Sequence, residues 1–344
     1  MTDRGAPAGL LAVDSGGSGL RAALAAVDRG VLAQRASTVP VRTGVRGIDP
    51  GHLMEQLVPM VRALTAETGV RELGAAVVGA AGLSTLGDAL RAELPDALAR
   101  EFGVAKVALA ADAVTAYVGA LGPSPGAVIA AGTGLIAIGT DLTQWRRADG
   151  WGHLLGDCGG GAWIGRAGLE AALRAHDGRP GGSARLRARA EAEFGPLPTL
   201  PGQLYPRADR AAVLASFAPG VADCARLGDP VAQDILGAAA RQMAESAAAV
   251  CPVSGEPRIA LTGGLFRMGD PLLLPLEIEL AQKLPQAQQV PAEGDPLHGS
   301  VRMAADLATD ALTLPSDGTM LYVAPKKEIG PTGGNSPGSH ADHF

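Results

Sequence analysis

Hydrophobic and polar positions divide the chain into short apolar runs and longer stretches in which apolar residues recur at helical spacing. Uninterrupted apolar runs predict buried strands, and helical spacing predicts amphipathic helices. In the first half, the predicted strands are residues 9–14, 20–28, 31–39, 74–80 and 104–111, and the predicted helices are 52–68, 86–102 and 113–121. This half therefore has the predicted order βββαβαβα.

The same order starts again after residues 122–126, GPSPG, whose glycines and prolines predict a domain boundary. The second set of predicted strands is 127–131, 135–140, 143–147, 258–261 and a short one near Gln289. Predicted helices occupy 162–175, 184–194, 210–218, 230–249, 271–283 and 298–312. The weak duplication predicts two similar α/β lobes, 1–121 and 126–297, with a helical insertion at about 162–250 and a ligand cleft between the lobes. Helix 298–312 is expected to pack back on the first lobe.

Composition narrows the classes of function. With 47% hydrophobic residues, the 344-residue chain can bury the core of one or two domains. A net charge of −6 and only 3% aromatic residues argue against nucleic acid as a partner. Cys158, Cys224 and Cys251 are far apart and form no C-x-x-C pattern, which argues against an iron–sulfur cluster or structural zinc and favours the cytoplasm.

The chain ends carry few signals. We expect neither export nor membrane insertion, because the sequence has no signal-peptide pattern and no apolar run of membrane length. Residues 1–7 and the Gly-, Pro-, Ser- and His-rich residues 326–344 are expected to be disordered. The tail histidines are expected to be solvated rather than metal ligands.

Two glycine-rich turns, each directly after a predicted strand, predict a site for an anion. The first is Gly16, Gly17 and Ser18 after Asp14, and the second is Gly132, Thr133 and Gly134. Glycine lets backbone N–H groups approach a phosphate closely, and one aspartate is enough to orient a hydrated Mg²⁺. Neither turn matches the P-loop or dinucleotide patterns, so the sequence predicts a clamp of two phosphate loops. The alternative is that each turn only closes a hairpin.

Asp112 has two candidate roles, because it follows the predicted strand 104–111 and begins a helix. It could be the N-cap of that helix, or the general base that accepts a hydroxyl proton during phosphoryl transfer. Phosphoryl transfer depends mainly on positioning and charge neutralisation, so an aspartate of near-ordinary pKa can serve. Together with the two phosphate turns, the position favours the base.

A glycine-dense segment, WGHLLGDCGGG at residues 151–161, surrounds a single aspartate, Asp157. A carboxylate among exposed backbone groups suits a polyol, because its two oxygens can accept hydrogen bonds from neighbouring hydroxyls. Asp157 could instead cap the following helix. Trp151 could stack on a sugar ring or lie in the core, and His153 is expected to be structural rather than catalytic.

A last glycine turn, Thr262-Gly263-Gly264, follows the predicted strand 258–261 and precedes a helix. Such a turn can let a flat adenine and its ribose lie against the backbone. The alternative is an ordinary strand–helix loop, and in isolation the turn is a weak signal.

Together these residues resemble the acetate and sugar kinase, Hsp70 and actin superfamily, and more narrowly the BadF/BadG/BcrA/BcrD ATPase family in its N-acetylglucosamine-kinase branch. The resemblance covers about residues 9–310. Its most specific part is GWGHLLGDCGGGAWIGRAGLEAALRAHDGR at 150–179, which is similar to that branch's GWG-x-x-x-GDEGS-x-x-WIG pattern. The resemblance implies two ribonuclease H-like lobes and a kinase that uses ATP and Mg²⁺.

The resemblance also implies roles for individual residues, with Asp112 as the catalytic base. Phosphate and metal would be bound by Asp14, Gly16, Gly17, Ser18 and Thr133, with Asp14 at the metal. Gly263 and Gly264 would lie at the adenosine. The sugar would lie against Asp112, Gly134, Trp151, Gly152, His153, Asp157, Cys158 and Gly161.

Departures from the branch's pattern fall where the 2-position and neighbouring hydroxyls of the sugar would be recognised. Cys158 replaces a glutamate, Gly160 replaces a serine, and residues 41–46, VRTGVR, lack the asparagine that contacts the sugar in the branch. The DCGGG form resembles the actinobacterial glucosamine kinases of the family, so the resemblance favours glucosamine over N-acetylglucosamine. Loss of the glutamate gives no physical reason for preferring a cationic sugar.

Two other functions remain as alternatives. An activator ATPase of the same superfamily would need cysteines that bridge a cluster at a dimer interface, and the wide cysteine spacing argues against it. A non-catalytic sugar sensor or repressor would carry an added DNA-binding segment, for which we expect no room before Leu10. Exposed apolar surface on the helical lobe could support a homodimer.

Overall fold

A computed structural model describes residues 8–17 and 19–325, so the predictions for residues 1–7, Ser18 and 326–344 lie outside the described residues. In chain order, the strands are β1 (Gly9–Gly16), β2 (Gly19–Ala26), β3 (Gly30–Ser37), β4 (Thr43–Gly44), β5 (Gly47–Ile48), β6 (Leu73–Ala80), β7 (Lys106–Ala111), β8 (Gly126–Ala131), β9 (Leu135–Thr140), β10 (Trp145–Asp149), β11 (Arg258–Thr262), β12 (Gln288–Gln289) and β13 (Leu321–Val323).

The helices connect and cover these strands. They are α1 (Pro50–Thr68), α2 (Leu83–Leu86), α3 (Asp88–Phe102), α4 (Asp112–Leu121), α5 (Gly161–Asp177), α6 (Ala184–Phe194), α7 (Leu200–Leu204), α8 (Arg210–Ser216), α9 (Ala218–Arg226), α10 (Pro230–Val250), α11 (Asp270–Lys283) and α12 (Pro296–Ala308). Short 3₁₀ segments cover Leu197–Thr199 and Gly264–Met268. Within the described part of the chain, no helix combines the length and apolar character needed to cross a membrane.

Two sheets organise the molecule, and five strands of the first have the same order as the five strands of the second. Read in the same direction, the first sheet is β7-β6-β1-β2-β3 and the second is β12-β11-β8-β9-β10. The first sheet has one more strand, β13, beside β7. In each sheet the central strand, β1 or β8, pairs antiparallel with the next strand in the chain and parallel with β6 or β11. The predicted α/β fold with two similar lobes is therefore confirmed. The ends of β1 and β8 face a common cleft.

The central strands of the first sheet are buried on both faces, as their uninterrupted apolar sequences predict. Leu10, Leu11, Ala12 and Val13 of β1 have no exposed surface. Helix α12 packs against β1 and β6, whereas α1 packs against β2 and β3. The strand β3 lies at the sheet edge and is mostly exposed, which fits its more polar sequence.

Several element boundaries differ from the predictions for local reasons. The predicted helix 86–102 begins at Leu83 and is divided at Gly87. The predicted helix 210–218 is two helices, α8 and α9, because Pro219 has no N–H to continue the backbone ladder. The elements β4, β5 and β13 were not predicted. They are two or three residues long and form only against a partner strand.

Helix α12 packs on the first sheet and crosses α4 at two glycines. A Cβ on Gly119 would lie 2.1 Å from the carbonyl oxygen of Asp295, and a Cβ on Gly299 would lie 1.9 Å from that of Thr115. The next residue, Ser300, donates a hydrogen bond to the carbonyl oxygen of Val13 at 3.1 Å. This close packing brings the N-terminus of α12 to the end of β1.

Candidate active site

A cavity of about 780 Å³ lies between the two sheets and receives residues from both lobes. The first lobe contributes parts of β1, β2, α2 and α4, and the second contributes the turn after β8, β10 and the residues after β11. The charged residues that line it are Asp14, Arg21, Asp112, Arg147, Asp157, Arg267 and Asp295. Carboxylates and guanidinium groups therefore share one cleft, a composition that suits a polar, phosphorylated ligand.

Asp14 lies near the end of β1 and is held by an arginine of the neighbouring strand. Arg21 of β2 stands opposite Asp14 in the ladder, and its Nε and Nη2 donate to Asp14 Oδ2 at 3.0 and 2.7 Å. Arg21 Nη1 donates to Asp295 Oδ2 at 2.5 Å. Burial raises the pKa of Asp14, and the hydrogen bonds and charge of Arg21 offset part of that rise. Because both hydrogen bonds use Oδ2, Oδ1 stays outside this ion pair.

The Mg²⁺ predicted from the sequence fits this cluster. Magnesium keeps several waters and is commonly bound by one or two carboxylates together with substrate phosphates. Asp14 and Asp295, joined through Arg21, are carboxylates of this kind at the cavity wall. In residues 8–17 and 19–325 no group of three or more His, Cys, Asp or Glu side chains could hold a metal ion. A metal would therefore depend on ligand phosphates as well as Asp14.

Asp112 is the first residue of α4 and lies in the cavity wall. Its Oδ1 accepts the amide of the adjacent Ala113 at 2.9 Å, and the N-cap residue of the helix is Ala111 rather than Asp112. Burial raises the pKa of Asp112, the charge of Asp14 raises it further, and Arg147 acts in the opposite direction. A carboxylate with a raised pKa accepts a proton more readily, so this environment suits a general base.

The turn after β8 is fixed by the N-terminus of α5. The amides of Gly161 and Ala162 donate to the carbonyl oxygens of Gly132 and Thr133 at 2.9 and 2.8 Å. A Cβ on Gly161 would lie 2.6 Å from the carbonyl oxygen of Gly132, so only glycine allows this approach. Gly161, the last glycine of the 151–161 segment, thus lets the helix hold the phosphate turn predicted from the sequence.

Asp157 projects from the loop before α5 toward Gly134. A Cβ on Gly134 would lie 2.3 Å from Asp157 Oδ2, so glycine at this position leaves room for the carboxylate. The other oxygen, Oδ1, accepts the amide of Gly152 at 3.0 Å. Burial raises the pKa of Asp157, the Gly152 amide acts against that rise, and the charge of Asp149 adds to it. Gly134, Gly152 and Asp157 form one wall of the cavity.

The glycine turn after β11 lies on the same cavity. Gly263 has a φ of +108°, and a Cβ there would lie 2.1 Å from the carbonyl oxygen of Ala131. Both its backbone conformation and its packing therefore require glycine. Gly264 begins the following 3₁₀ segment, and Arg267 of that segment adds a guanidinium group to the cavity.

Arg147 of β10 is a cavity residue that the sequence analysis did not single out. Its Nη1 donates to Ser84 Oγ at 3.2 Å, which joins the second lobe to the first. Its guanidinium carbon also lies 4.2 Å from the centroid of the Trp151 ring. Trp151 is 61% exposed and is not among the residues that line the cavity.

The structure brings together about half of the residues selected from the sequence. Those that line the cavity are Asp14, Asp112, Thr133, Gly134, Gly152, Asp157, Gly263 and Gly264. Those outside the lining are Gly16, Gly17, Trp151, His153, Cys158 and Gly161, and Ser18 is outside the described residues. His153 instead lines a second cavity of about 420 Å³ beside α5, α7 and α8.

Other charged residues of the cavity were missed, and two of them carry a sequence signal. Counting the register across the predicted hairpin would have placed Arg21 opposite Asp14. Asp295 precedes Pro296, a typical helix start, and it accepts the His298 amide at 2.9 Å. Burial acts to raise the pKa of Asp295, but the His298 amide and Arg21 together lower it more, so the pKa lies below its ordinary value. Arg147 has no such signal.

The chain is similar in sequence to proteins of known family. The model of the BadF/BadG/BcrA/BcrD ATPase family matches residues 11–299. An N-acetylmuramic acid/N-acetylglucosamine kinase from Clostridium acetobutylicum is 31% identical over 112 residues, which are 32% of this chain and 36% of that protein. The aligned region therefore spans little more than a third of that relative.

Solved structures extend the similarity over most of the fold. A candidate N-acetylglucosamine kinase from Chromobacterium violaceum is 27% identical, with a TM-score of 0.69 over 86% of this chain and 98% of that one. A ROK family glucokinase from Streptomyces griseus, solved with glucose and AMPPNP, is 21% identical with a TM-score of 0.54 and shares the fold. Because the family model extends from β1 into α12 and includes every charged cavity residue, the chain belongs to the BadF/BadG/BcrA/BcrD ATPase family.

Proposed function

We propose that the protein transfers the γ-phosphoryl group of ATP to the 6-hydroxyl of an amino sugar, and that this sugar is glucosamine. The observation that carries the proposal is the position of Asp112 in the interlobe cavity. Asp14 of the same lobe and Thr133 and Asp157 of the other lobe line the same cavity. A sugar bound at Asp157 and a phosphate bound at Thr133 would therefore meet near Asp112.

Asp112 would act as the general base. Its carboxylate accepts the proton of the attacking hydroxyl as the new oxygen–phosphorus bond forms, while the bond between the γ-phosphorus and the bridging oxygen breaks and ADP leaves. Burial raises the pKa of Asp112, which favours that acceptance, and the charge of Arg147 acts in the opposite direction and favours the ionised form. Closure of the lobes around both substrates would exclude water and limit hydrolysis of ATP.

The nucleotide would lie across the glycine turns. The backbone amide at Thr133 suits the phosphates, and Gly263 and Gly264 suit adenosine. Asp14 would hold Mg²⁺ through water, and the ion would supply positive charge that neutralises the phosphate oxygens. Membership of an ATPase family supports ATP as the donor. Arg21 and Arg267 add positive charge to the same cavity.

The sugar would be bound by the second lobe, through Asp157 and the backbone at Gly134 and Gly152. Support for glucosamine comes from the charge of this region, because Asp157 lines the cavity and Asp149 lies directly behind it. A protonated amine on the sugar would be attracted by these carboxylates. N-acetylglucosamine is the alternative substrate, and the names of the Clostridium acetobutylicum and Chromobacterium violaceum relatives favour it.

The test is a coupled ADP-release assay with Mg-ATP and glucosamine, N-acetylglucosamine, glucose or mannosamine. A kcat/KM highest for glucosamine would support the proposal in full. Preference for N-acetylglucosamine would keep the reaction and overturn the choice of sugar. Asp112→Asn is the matched control, because coupling-enzyme artefacts would persist in that variant and true transfer would not.

A non-catalytic sugar sensor is the competing function of a different class. It predicts sugar binding by calorimetry together with no ADP release for any sugar of the panel. That combination of results would overturn the kinase proposal.

A further inference from the structure

Asp149 is the last residue of β10 and lies outside the cavity lining, yet it holds the loop that forms one cavity wall. Its Oδ1 accepts the amide of Asp157 at 2.6 Å, and its Oδ2 accepts the amide of Cys158 at 2.8 Å. Hydrogen bonds to a charged acceptor are shorter and stronger than those between neutral groups. One carboxylate therefore fixes two consecutive peptide groups.

The backbone held by Asp149 has an uncommon conformation. Asp149 has a φ of +61° and Asp157 a φ of +54°, in the left-handed region that residues other than glycine seldom adopt. Such a conformation persists only where surrounding contacts compensate for its cost. Gly156 leaves space for the Asp149 carboxylate, because a Cβ there would lie 2.4 Å from Asp149 Oδ1. The space around the Asp149 carboxylate is thus kept clear for the two amides.

The backbone of Asp157 determines where its side chain can reach. Asp157 Oδ1 accepts the Gly152 amide at 3.0 Å, while Oδ2 faces Gly134 at the phosphate turn. The backbone amide of Asp157 therefore donates to Asp149, and the amide of Gly152 at the start of the same loop donates to the side chain of Asp157. Rotation of the Asp157 peptide group would move its carboxylate out of this position.

We propose that Asp149 is a positioning residue for sugar binding, which holds the carboxylate of Asp157 against Gly134 where the sugar hydroxyls bind. The inference rests on the proposed function, because it assumes that Asp157 contacts the sugar. Asp149 also lies against the amide of Cys158, the position where the resembling pattern has a glutamate.

The variant Asp149→Asn tests the proposal, since asparagine has nearly the same shape but only one oxygen acceptor. One of the two amides would then face the NH₂ group of the side chain. Because a hydrogen bond to a charged group contributes more than a neutral one, we expect the KM for the sugar to rise about 10- to 100-fold. The KM for ATP should stay within about twofold of the wild type.

Asp141→Asn is the matched control. Asp141 Oδ1 also accepts two backbone amides, those of Thr143 and Gln144 at 2.9 and 3.2 Å, in the turn before the same strand. It lies outside the cavity lining, so its substitution should leave both KM values unchanged. If Asp141→Asn and Asp149→Asn affected the sugar KM equally, the proposal would be wrong.

A double-mutant cycle with Asp157→Asn separates positioning from a general structural effect. If Asp149 acts through Asp157, the double variant should have the same sugar KM as Asp157→Asn alone. Additive effects, or an unchanged sugar KM in Asp149→Asn, would overturn the inference. Should Asp149→Asn fail to fold, Asp149→Glu keeps the charge but moves the carboxylate by one methylene, and the same cycle applies.

Calorimetric titration of glucosamine and N-acetylglucosamine without ATP separates this inference from the proposed function. If the wild type binds sugar in this titration but releases no ADP in the Mg-ATP assay, the kinase proposal is refuted. Asp149→Asn should still weaken the sugar binding in that case. A wild type that phosphorylates sugar while Asp149→Asn binds it with unchanged Kd would refute only the role of Asp149.

Discussion

Asp112 has a carboxyl group whose ionised form is disfavoured both by burial and by the charge of Asp14, so its pKa is raised. Its side chain accepts one hydrogen bond from the backbone of its own helix, and Arg147 is the nearby positive charge that favours ionisation. The same environment that makes Asp112 a better base therefore makes its ionised form costly for the folded protein. This conflict gives two predictions, one for turnover and one for stability.

For turnover, Asp112→Asn is expected to lower kcat by about 10²- to 10⁴-fold, the usual contribution of a positioned general base. The Kd for the sugar should change little, because asparagine keeps the size and one acceptor oxygen. The measurement combines the ADP-release assay with calorimetric sugar binding. Asp306→Asn is the control, since burial also raises the pKa of Asp306, but this residue does not line the cavity. Near-normal kcat in Asp112→Asn would remove Asp112 from the role of base.

For stability, Asp112→Asn is expected to raise the Tm at neutral pH. The pKa of Asp112 is higher in the folded than in the unfolded protein, so the folded state binds this proton more tightly. The stabilisation linked to that proton is present below the ordinary pKa and is lost as pH rises through the raised one. Asparagine stays neutral and avoids the loss. Thermal melts between about pH 4 and pH 8 should show the Tm difference shrinking toward acid pH, whereas a lower Tm at neutral pH would contradict the argument.

Among the elements, α6 and α10 share one buried capping pair. Ser183 Oγ accepts the Leu186 amide at 3.0 Å at the start of α6 and donates to Asp229 Oδ2 at 2.6 Å. Asp229 Oδ1 accepts the Ala232 amide at 2.9 Å at the start of α10. One hydrogen-bonded pair thus accepts a first-turn amide in each of two helices of the second lobe.

Asp229→Ala is expected to lower the free energy of unfolding by about 2–3 kcal/mol, because it removes an N-cap and leaves the buried Ser183 hydroxyl without its acceptor. Chemical denaturation gives the value. Asp49→Ala is the comparison, since Asp49 caps α1 in a more exposed setting and should cost about 1 kcal/mol. Equal losses in the two variants would show that burial of the pair adds nothing to an ordinary cap.

At the scale of the whole molecule, the close crossing of α4 and α12 joins two helices whose first residues line the cavity. Asp112 begins α4, and Asp295 is the N-cap of α12. A contact between the lobes also holds α4 in place, because Tyr117 of α4 packs edge-on against Trp145 of β10 with ring centroids 5.4 Å apart. Trp145 also donates from Nε1 to the carbonyl oxygen of Pro315 at 2.8 Å.

Gly299→Ala is expected to lower the free energy of unfolding by about 1–3 kcal/mol, because its Cβ would overlap the carbonyl oxygen of Thr115. It should also lower kcat/KM, since α12 would carry Asp295 away from Arg21. Gly237→Ala is the control, because Gly237 lies in α10 with no atom within 4 Å of a new Cβ, and alanine there should add up to about 1 kcal/mol. Denaturation curves and kinetics of both variants check the prediction. A Gly299→Ala protein as stable as Gly237→Ala would contradict this account of the crossing.

Much of the fold could be predicted from the sequence because its signals are local. The strand Leu135–Thr140 and the helix Ala184–Phe194 have the predicted bounds. The strand Leu321–Val323, which was not predicted, depends on pairing with β7 in a distant part of the chain. For the site, the glycine turns and Asp157 carry a recognisable pattern. Arg147 and Asp149 are a cation and an anion in an ordinary polar strand, and nothing local distinguishes them.

The sequence by itself determined the α/β class, the duplicated strand–helix order and the two turns that end β1 and β8. These depend on periodicity and on glycine conformation, which act over a few neighbouring residues. Only the tertiary structure decided which residues share the cleft. Asp14 and Asp295 are far apart in the chain but joined through Arg21, and Ser84 meets Arg147 across the lobes. Such contacts follow from how sheets and helices pack, and that packing minimises the free energy of the whole chain rather than of any segment.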